Sequence, residues 1–510
     1  MLIEKSSTWK EGFIERLEER EPWDNWTLYN MSYDVVKTNL ITDFTGLQSP
    51  KYLPNLTPLR HQLEVAETVI ERMNGKAILA DEVGLGKTIE AGLILKEYLI
   101  RGLVKKALIL APASLINQWI DELNNKFYIP AIPYKKNYNL DNYSVVVMSM
   151  DTAKKSPHKE VIYAQDYDMI IIDEAHKLKN HKTKNYEFVQ SLKKKFCLLL
   201  TATPIQNDVF ELFYLISLLK PGHLGSYETF QSSFSANKLT WEHDDYLKEL
   251  VNQVMVRNRR QDTGIEWTQR RVQTIPIQFT KEEKEVYEMI EGLKNVSSVF
   301  SSAFSMITLQ KEMCSSKEAT YLTLNKMRQE CVDSEEIDYV ETLIQKLMAL
   351  EVNTKAEKAY ELISKANDKV IIFTEYRASQ AYLQWYLGSK GITSVLFNGK
   401  FKKSKRDWMK QLFKEQAQVL IATESGGEGI NLQFCHHVIN YDLPWNPMKL
   451  EQRIGRVHRL GQEHDVHIYN LAIEGTIEDH ILDLLHAKID VFEKAVGNLD
   501  DILSTLKESM

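Results

Sequence analysis

Along the first half of the chain, short runs of apolar, largely β-branched residues alternate with longer stretches that mix apolar and polar positions. The runs are KAILADE (76–82), KALILAPAS (106–114), YSVVVMSM (143–150), DMIIIDEA (168–175) and FCLLLTATP (196–204). Runs this dense leave no polar face, as in strands covered on both sides of a parallel sheet. Their alternation with helical stretches predicts an α/β layer fold. From about 276 to 350 the strand pattern stops and Met, Leu, Glu and Lys dominate (EEKEVYEMIEGL, TLIQKLMAL), which reads as a helical insertion. A second strand-rich block follows, with KVIIFTEY (369–376), SVLFNG (394–399), VLIATES (419–425), HHVINYDL (436–443) and VHIYNLA (466–472). The pattern predicts an amino-terminal extension (1–50), a first α/β lobe (51–275), the insertion (276–350), a second lobe (351–490) and a closing tail helix (491–510). Neither a short-period repeat nor a low-complexity tract interrupts it.

Composition narrows the class. With 510 residues, 44% apolar and 26% charged, the chain can bury several cores. The amino end, MLIEKSSTWKEGF, has charge and aromatics where a secretory signal needs an apolar stretch, and no segment approaches the ~18 continuous apolar residues of a membrane span. The expectation is a cytoplasmic protein without a membrane partner. Cys197, Cys314, Cys331 and Cys435 lie far apart, which supports neither a disulfide frame nor a zinc site. A net charge of −7 confines any polyanion site to a local patch. The densest basic stretches, RNRR (257–260) and GKFKKSKRDWMK (399–410), are candidates for such a track, with a solvated face as the plainer reading.

The sharpest chemical signal is Asp81-Glu82-Val83-Gly84-Leu85-Gly86-Lys87-Thr88, set between the strand KAILA and the helix TIEAGLILKEYL. A strand, a glycine loop, Lys-Thr and a helix make a phosphate cradle. Backbone N–H groups and the helix amino end meet the phosphates, Lys87 reaches the β/γ oxygens, and Thr88 offers a hydroxyl to Mg²⁺. The strict pattern places Gly where Asp81 stands, so alone the loop could be a tight turn with an exposed lysine. Asp173-Glu174-Ala175-His176 ends an apolar strand about 85 residues later. A carboxylate there can hold Mg²⁺ while its neighbour activates water, and we assign metal to Asp173 and base to Glu174. In the second half, Gln452-Arg453-Ile454-Gly455-Arg456-Val457-His458-Arg459 spaces arginines by three on one helical face. Delivered across a cleft, Arg456 and Arg459 could stabilise charge on a transferring phosphoryl group.

The ordered motif set over 57–480 resembles superfamily 2 helicases, specifically the Swi2/Snf2 family. The matches are TPLRHQ (57–62), DEVGLGKT, APASLINQW (111–119), DEAHKLKN (173–180), LLLTATPIQN (198–207), IIFTEY (371–376), IATESGGEGINLQ (421–433), NYDLPWNP (440–447) and QRIGRVHRLGQ (452–462). The resemblance implies two RecA-like parallel-sheet lobes in tandem that close on ATP and step along one strand of a duplex. It implies Gln62 as an adenine contact, DEVGLGKT as this family's form of the cradle, and Gly429 on the nucleotide. Phosphate-gripping candidates on the cleft floor are Ser114, Asn117 and Trp119; Lys177, Lys179 and Asn180; and Thr423, Glu424 and Gly427. Thr201 and Thr203 would couple the phosphate site to this groove. Trp445 falls either near the lobe interface or in the core. DEVGLGKTIEAG is closest to bacterial members, which makes RNA polymerase or another DNA-bound protein an expected partner beside double-stranded DNA, with the motor itself a monomer. The competing expectations are a strand-separating DNA or RNA helicase and a catalytically silent scaffold.

Overall fold

The computed structural model describes residues 14–16, 18, 26–39, 46–205, 210–234, 241–296, 303–331, 333–399, 401, 403–423 and 432–496. The chain divides into two units, Met1–Leu47 and Gln48–Met510. In the first, the helix Trp26–Asn39 stacks Trp26 on Tyr29 and Tyr29 on Tyr33, at centroid distances of 5.1 and 6.3 Å.

The second unit holds two parallel sheets. The first sheet draws on β1 (Lys76–Leu79), β2 (Ala107–Ala111), β3 (Ala131–Pro133), β4 (Val145–Ser149), β5 (Met169–Asp173), β6 (Phe196–Leu200) and β7 (Met255–Val256), in the order β3-β4-β2-β5-β6-β1-β7. β2, β4 and β6 are buried at every position, because helices cover both faces and a polar side chain on either would lose water without a partner. The second comprises β8 (Arg270–Ile277), β9 (Val370–Thr374), β10 (Ser394–Phe397), β11 (Val419–Thr423), β12 (His437–Asn440) and β13 (Val466–Ile473), in the order β10-β11-β9-β12-β13-β8. Every described pairing in both sheets is parallel, which requires crossover connections rather than hairpins.

The junctions differ from the pattern reading in two places. β8, which that reading gave to the first lobe through residue 275, pairs with β13 over Arg270–Ile277 and belongs to the second sheet. Helices Lys281–Val296, Ala303–Ser315, Lys317–Arg328 and Ser334–Ala349 follow and pack on that sheet, burying Ile290, Leu309 and Leu343 with Ile372 and Ile439. The last described helix, Ile477–Val496, starts inside the range assigned to the second lobe, while 497–510 of the expected tail lie outside the described residues. No helix among the described residues is long and apolar enough to cross a membrane.

Order in the first sheet positions the chemistry. β1 ends at Leu79, β5 at Asp173 and β6 at Leu200, and β6 lies between the other two. The phosphate-type loop, the carboxylate pair and Thr201 therefore emerge together at the carboxyl edge, where α/β sheets place ligands. The second lobe meets this edge: Met448, from helix Pro447–Ile454, is buried in the first lobe's apolar cluster.

Candidate functional site

A cleft of about 300 Å³ opens between the lobes. Its wall carries Lys87, Thr88, Asp173 and Glu174 from the first lobe and Arg456 and Arg459 from the second. Two glycines shape the loop: Gly84 and Gly86 sit at φ +98° and +96°, a left-handed backbone that side chains disfavour. A Cβ on Gly86 would also lie 2.5 Å from Gln62 Nε2. Helix Lys87–Ile100 starts directly behind Gly86 and directs its amino end at the cleft.

The eight loop residues divide by direction. Val83, Gly84, Gly86, Lys87 and Thr88 line the cleft, whereas Asp81, Glu82 and Leu85 face back into the protein. Asp81 accepts from Asn258 N at 2.8 Å and from Asn258 Nδ2 at 3.0 and 3.2 Å, which gives its carboxylate a structural task. Glu82 turns to Arg257 and Arg260, at 3.9 and 3.8 Å. The Leu85 carbonyl accepts from His61 Nε2 at 3.1 Å and Gln62 Nε2 at 2.9 Å. The side chains of Asp81 and Glu82 and the carbonyl of Leu85 thus brace the loop from behind. Gln62 Oε1 in turn accepts from Leu59 N at 3.0 Å, so both ends of the amide are bonded within the chain. Behind the loop, His61, Asp81 and Glu90 bring buried acceptor atoms within 4.8 Å of one another. Burial and the neighbouring Asp81 push the Glu90 carboxyl well above its usual range.

Lys87 Nζ donates to the carbonyls of Asp81 (2.6 Å) and Glu82 (3.1 Å), and burial pulls its ammonium below the usual range against the attraction of Asp81 and Glu90. Asp173 accepts from Trp119 Nε1 at 2.9 Å and from Glu174 N at 2.8 Å. Burial and the adjacent Glu174 charge raise Asp173 to about 6 despite those donors. For Glu174 burial acts in the same sense but is outweighed by His176, 3.2 Å away, and by Arg456 and Lys87, which hold it at about 2. The two carboxylates of the pair are thus shifted in opposite directions, Asp173 up and Glu174 down. Thr88 and Asp173 offer hydroxyl and carboxylate oxygens, the donors a small hard cation such as Mg²⁺ takes. Glu174 itself is left-handed (φ 52°, ψ 48°), a conformation costing of the order of 1–3 kcal/mol in a non-glycine residue and met mostly where geometry serves a site.

Of the groove candidates, Ser114, Asn117, Lys177 and Asn180 are exposed. Trp119 is not: it is 1% exposed, and its N–H serves Asp173, so it orients a carboxylate rather than gripping nucleic acid. Lys179 pairs with Glu211 at 3.0 Å, which commits its charge inside the first lobe. Thr423 is buried; Glu424, Gly427 and Gly429 lie outside the described residues. Thr201 lines the cleft and its Oγ1 accepts from Thr203 N at 3.0 Å. Arg453 turns away from the cleft to Asn440 Oδ1 and Asp442 O, at 3.2 and 2.8 Å. The RNRR run is not an open basic track, because the side chains of Arg257 and Arg260 are only 7% and 2% exposed. In the other run, helix Lys403–Glu415 does present Trp408 and Lys405 to solvent. Trp445 packs beneath Lys311, whose Nζ lies 5.3 Å from the ring, and against the cluster of Leu443, Leu450 and Ile481. Sequence reasoning assigned no role to Asn258 or to the buried group Arg260, Arg270, Glu451 and His458; Arg260 was visible only as charge in the RNRR run.

Comparison with known proteins identifies the family. The family described as SNF2-related domain matches residues 61–336, and the helicase conserved C-terminal domain matches 354–461. The chain is 60% identical over 502 residues to the uncharacterized ATP-dependent helicase YqhH of Bacillus subtilis (strain 168), covering 98% of this chain and 90% of that protein. It is 28% identical over 482 residues to the RNA polymerase-associated protein RapA of Proteus mirabilis (strain HI4320), covering 85% of this chain and 49%, about half, of RapA. In fold it is similar to the Pyrococcus furiosus Hef helicase domain, with a TM-score of 0.53, 16% identity, and coverage of 83% of this chain and 97% of that one. The chain belongs to the SNF2-related family of helicase-type, ATP-dependent motors.

Proposed function

We propose that this motor translocates on double-stranded DNA and remodels protein–DNA complexes, hydrolysing ATP to ADP and phosphate between its lobes. The observation that carries the reading is the single cleft where Lys87, Thr88, Asp173 and Glu174 of one lobe face Arg456 and Arg459 of the other. In this reading the loop N–H groups and Lys87 hold the β/γ phosphates, and Glu174, kept ionised, orients the attacking water. Thr88 and Asp173 would hold Mg²⁺, which would supply charge neutralisation on the phosphate oxygens. Arg456 and Arg459 reach the γ-phosphoryl only when the lobes are closed, which ties turnover to lobe position. Repeated closing on a polymer gripped by both lobes yields a step. The gripping groups proposed are Ser114, Asn117, Lys177 and Asn180, which contact phosphates and read no bases.

RapA's description as RNA polymerase-associated supports RNA polymerase, or another DNA-bound protein, as the partner of a monomeric motor acting in the cytoplasm. The test is steady-state ATP hydrolysis without nucleic acid and with duplex DNA, single-stranded DNA or RNA, using Lys87→Ala as the blank. Stimulation chiefly by duplex, falling steeply with salt, is expected. Stimulation chiefly by single strands or RNA would replace this reading with a strand-separating helicase.

A further inference from the structure

We propose that Arg260 is a positioning residue for ATP hydrolysis, locking the arginine segment of the second lobe onto the phosphate loop of the first. The inference rests on the ATPase reading above and extends it to a residue outside the cleft. Arg260 opens the short turn Arg260–Thr263 on the crossover between β7 and β8, and the residue is 1% exposed. A guanidinium so buried persists only where its fork is met by acceptors.

Those acceptors come from both lobes. On the first-lobe side, Nη2 donates to the Val83 carbonyl, Nη1 lies 3.8 Å from Glu82 Oε2, and the backbone N donates to that same oxygen at 3.1 Å. On the second-lobe side, Nη2 reaches Glu451 Oε1 and the His458 carbonyl, each at 3.5 Å. Trp267 covers the guanidinium at 5.3 Å. Glu451 and His458 lie on either side of Arg456 in sequence, and His458 adjoins Arg459. One side chain thus bonds the loop and both ends of the segment that carries the proposed fingers.

The second-lobe end of this lock is itself rigid. Arg270 on β8 holds Glu451 by two bonds of 2.6 and 2.8 Å and donates to His458 Nδ1 at 3.0 Å. His458 Nε2 donates to the Thr268 carbonyl at 2.9 Å, so the ring is the neutral tautomer with Nδ1 as acceptor. Burial together with Arg260 and Arg270 keeps it neutral by lowering it to about 4. Burial alone would raise Glu451, but Arg270 and Arg260 hold it at about 2, a fixed anion for both guanidiniums. Facing it, a Cβ on Gly84 would lie 3.4 Å from Arg459 Cα, so the loop residue after Val83 already touches the finger backbone. Shifting the Val83 carbonyl relative to Glu451 would therefore displace Arg456 and Arg459 from the phosphate site.

The experiment compares Arg260→Lys and Arg260→Ala with the parent full-length chain. Lysine keeps the charge but cannot fork to two lobes. We expect kcat to fall ~10²-fold, the scale of a 1 Å misplacement, with fluorescent-nucleotide affinity near the parent's. In an Arg456→Ala background, Arg260→Ala should add little, because a positioner is silent once its client is gone. Losses that multiply, a parental kcat in Arg260→Lys, or a loss wholly in nucleotide affinity would overturn the proposal. Amide hydrogen exchange over 447–460 decides it independently of turnover: Arg260→Lys must raise exchange there, and unchanged exchange overturns it even if Arg260→Ala does not fold. A parent that hydrolyses no ATP under any condition would instead overturn the function proposed above.

Discussion

Trp119 shows how one residue's role is decided by its burial. The family resemblance makes it a phosphate-gripping candidate; in the fold it is 1% exposed and its N–H donates to Asp173 Oδ2. Asp173 sits at the end of β5 with its other oxygen held by Glu174 N, so the indole fixes the remaining rotation of the carboxylate. Groups that orient a metal-holding carboxylate typically change metal affinity ~10–100-fold when removed. Trp119→Phe keeps most of the apolar volume and deletes the donor. It should raise the Mg²⁺ concentration for half-maximal ATP turnover by ~10-fold or more. The loss of one buried hydrogen bond should cost about 1 kcal/mol of stability. An Mg²⁺ titration that overlays the parent's, in a variant with the expected melting shift, would show that the indole only packs.

Among the elements, the helix Ala303–Ser315 carries neighbouring charges with opposite fates. Lys311 is buried but satisfied, donating to Glu375 Oε2 at 2.8 Å and to the Leu443 carbonyl at 3.1 Å. Glu312 accepts from Thr323 Oγ1 at 3.0 Å, its Oε2 has no hydrogen-bond partner among the described residues, and burial raises it from 4.5 to about 7. A carboxyl raised on folding leaves stability intact below its unfolded value and removes it as pH climbs to the folded one. Glu312→Gln should therefore match the parent in stability below about pH 4.5 and exceed it by roughly 1–3 kcal/mol above pH 7. Melting at pH 4.5 and pH 8 measures this, and a gap that does not widen with pH would refute it. Such pairs show what the pattern could convey. Strands such as ALILA (β2) were legible because burial on both faces admits only apolar residues, and the loop and the Asp-Glu pair because each is contiguous. β8 was misassigned since RRVQTIPI alternates partly exposed positions at the lobe boundary. Arg260 and Arg270 were opaque because their partner Glu451 is 191 and 181 residues away, a pairing only the closed fold creates.

At the scale of the molecule, the cleft is a joint whose lobes come into close contact, and Gly455 marks one such point. It caps the helix Pro447–Ile454 with a right-handed backbone (φ −64°, ψ −2°) that alanine can adopt. Within its own lobe the added Cβ would lie 3.2 Å from the Glu451 carbonyl, a tight contact that a shift of a few tenths of an ångström relieves, so the larger cost lies across the cleft. Across the cleft the added Cβ would lie 2.3 Å from Val83 Cγ1 and 2.8 Å from Val83 Cβ, well inside contact distance. Val83 is loop rather than core, so the strain is relieved by parting the lobes and not by unfolding either one. If hydrolysis requires Arg456 and Arg459 at the loop, Gly455→Ala should lower kcat ~10²-fold through misplacement alone, with a melting temperature close to the parent's. Adding Val83→Ala removes the nearer clashing atom and should restore part of the rate. Parental turnover in Gly455→Ala would mean that chemistry occurs with the lobes apart. A lost rate that Val83→Ala does not recover would place the defect inside the second lobe.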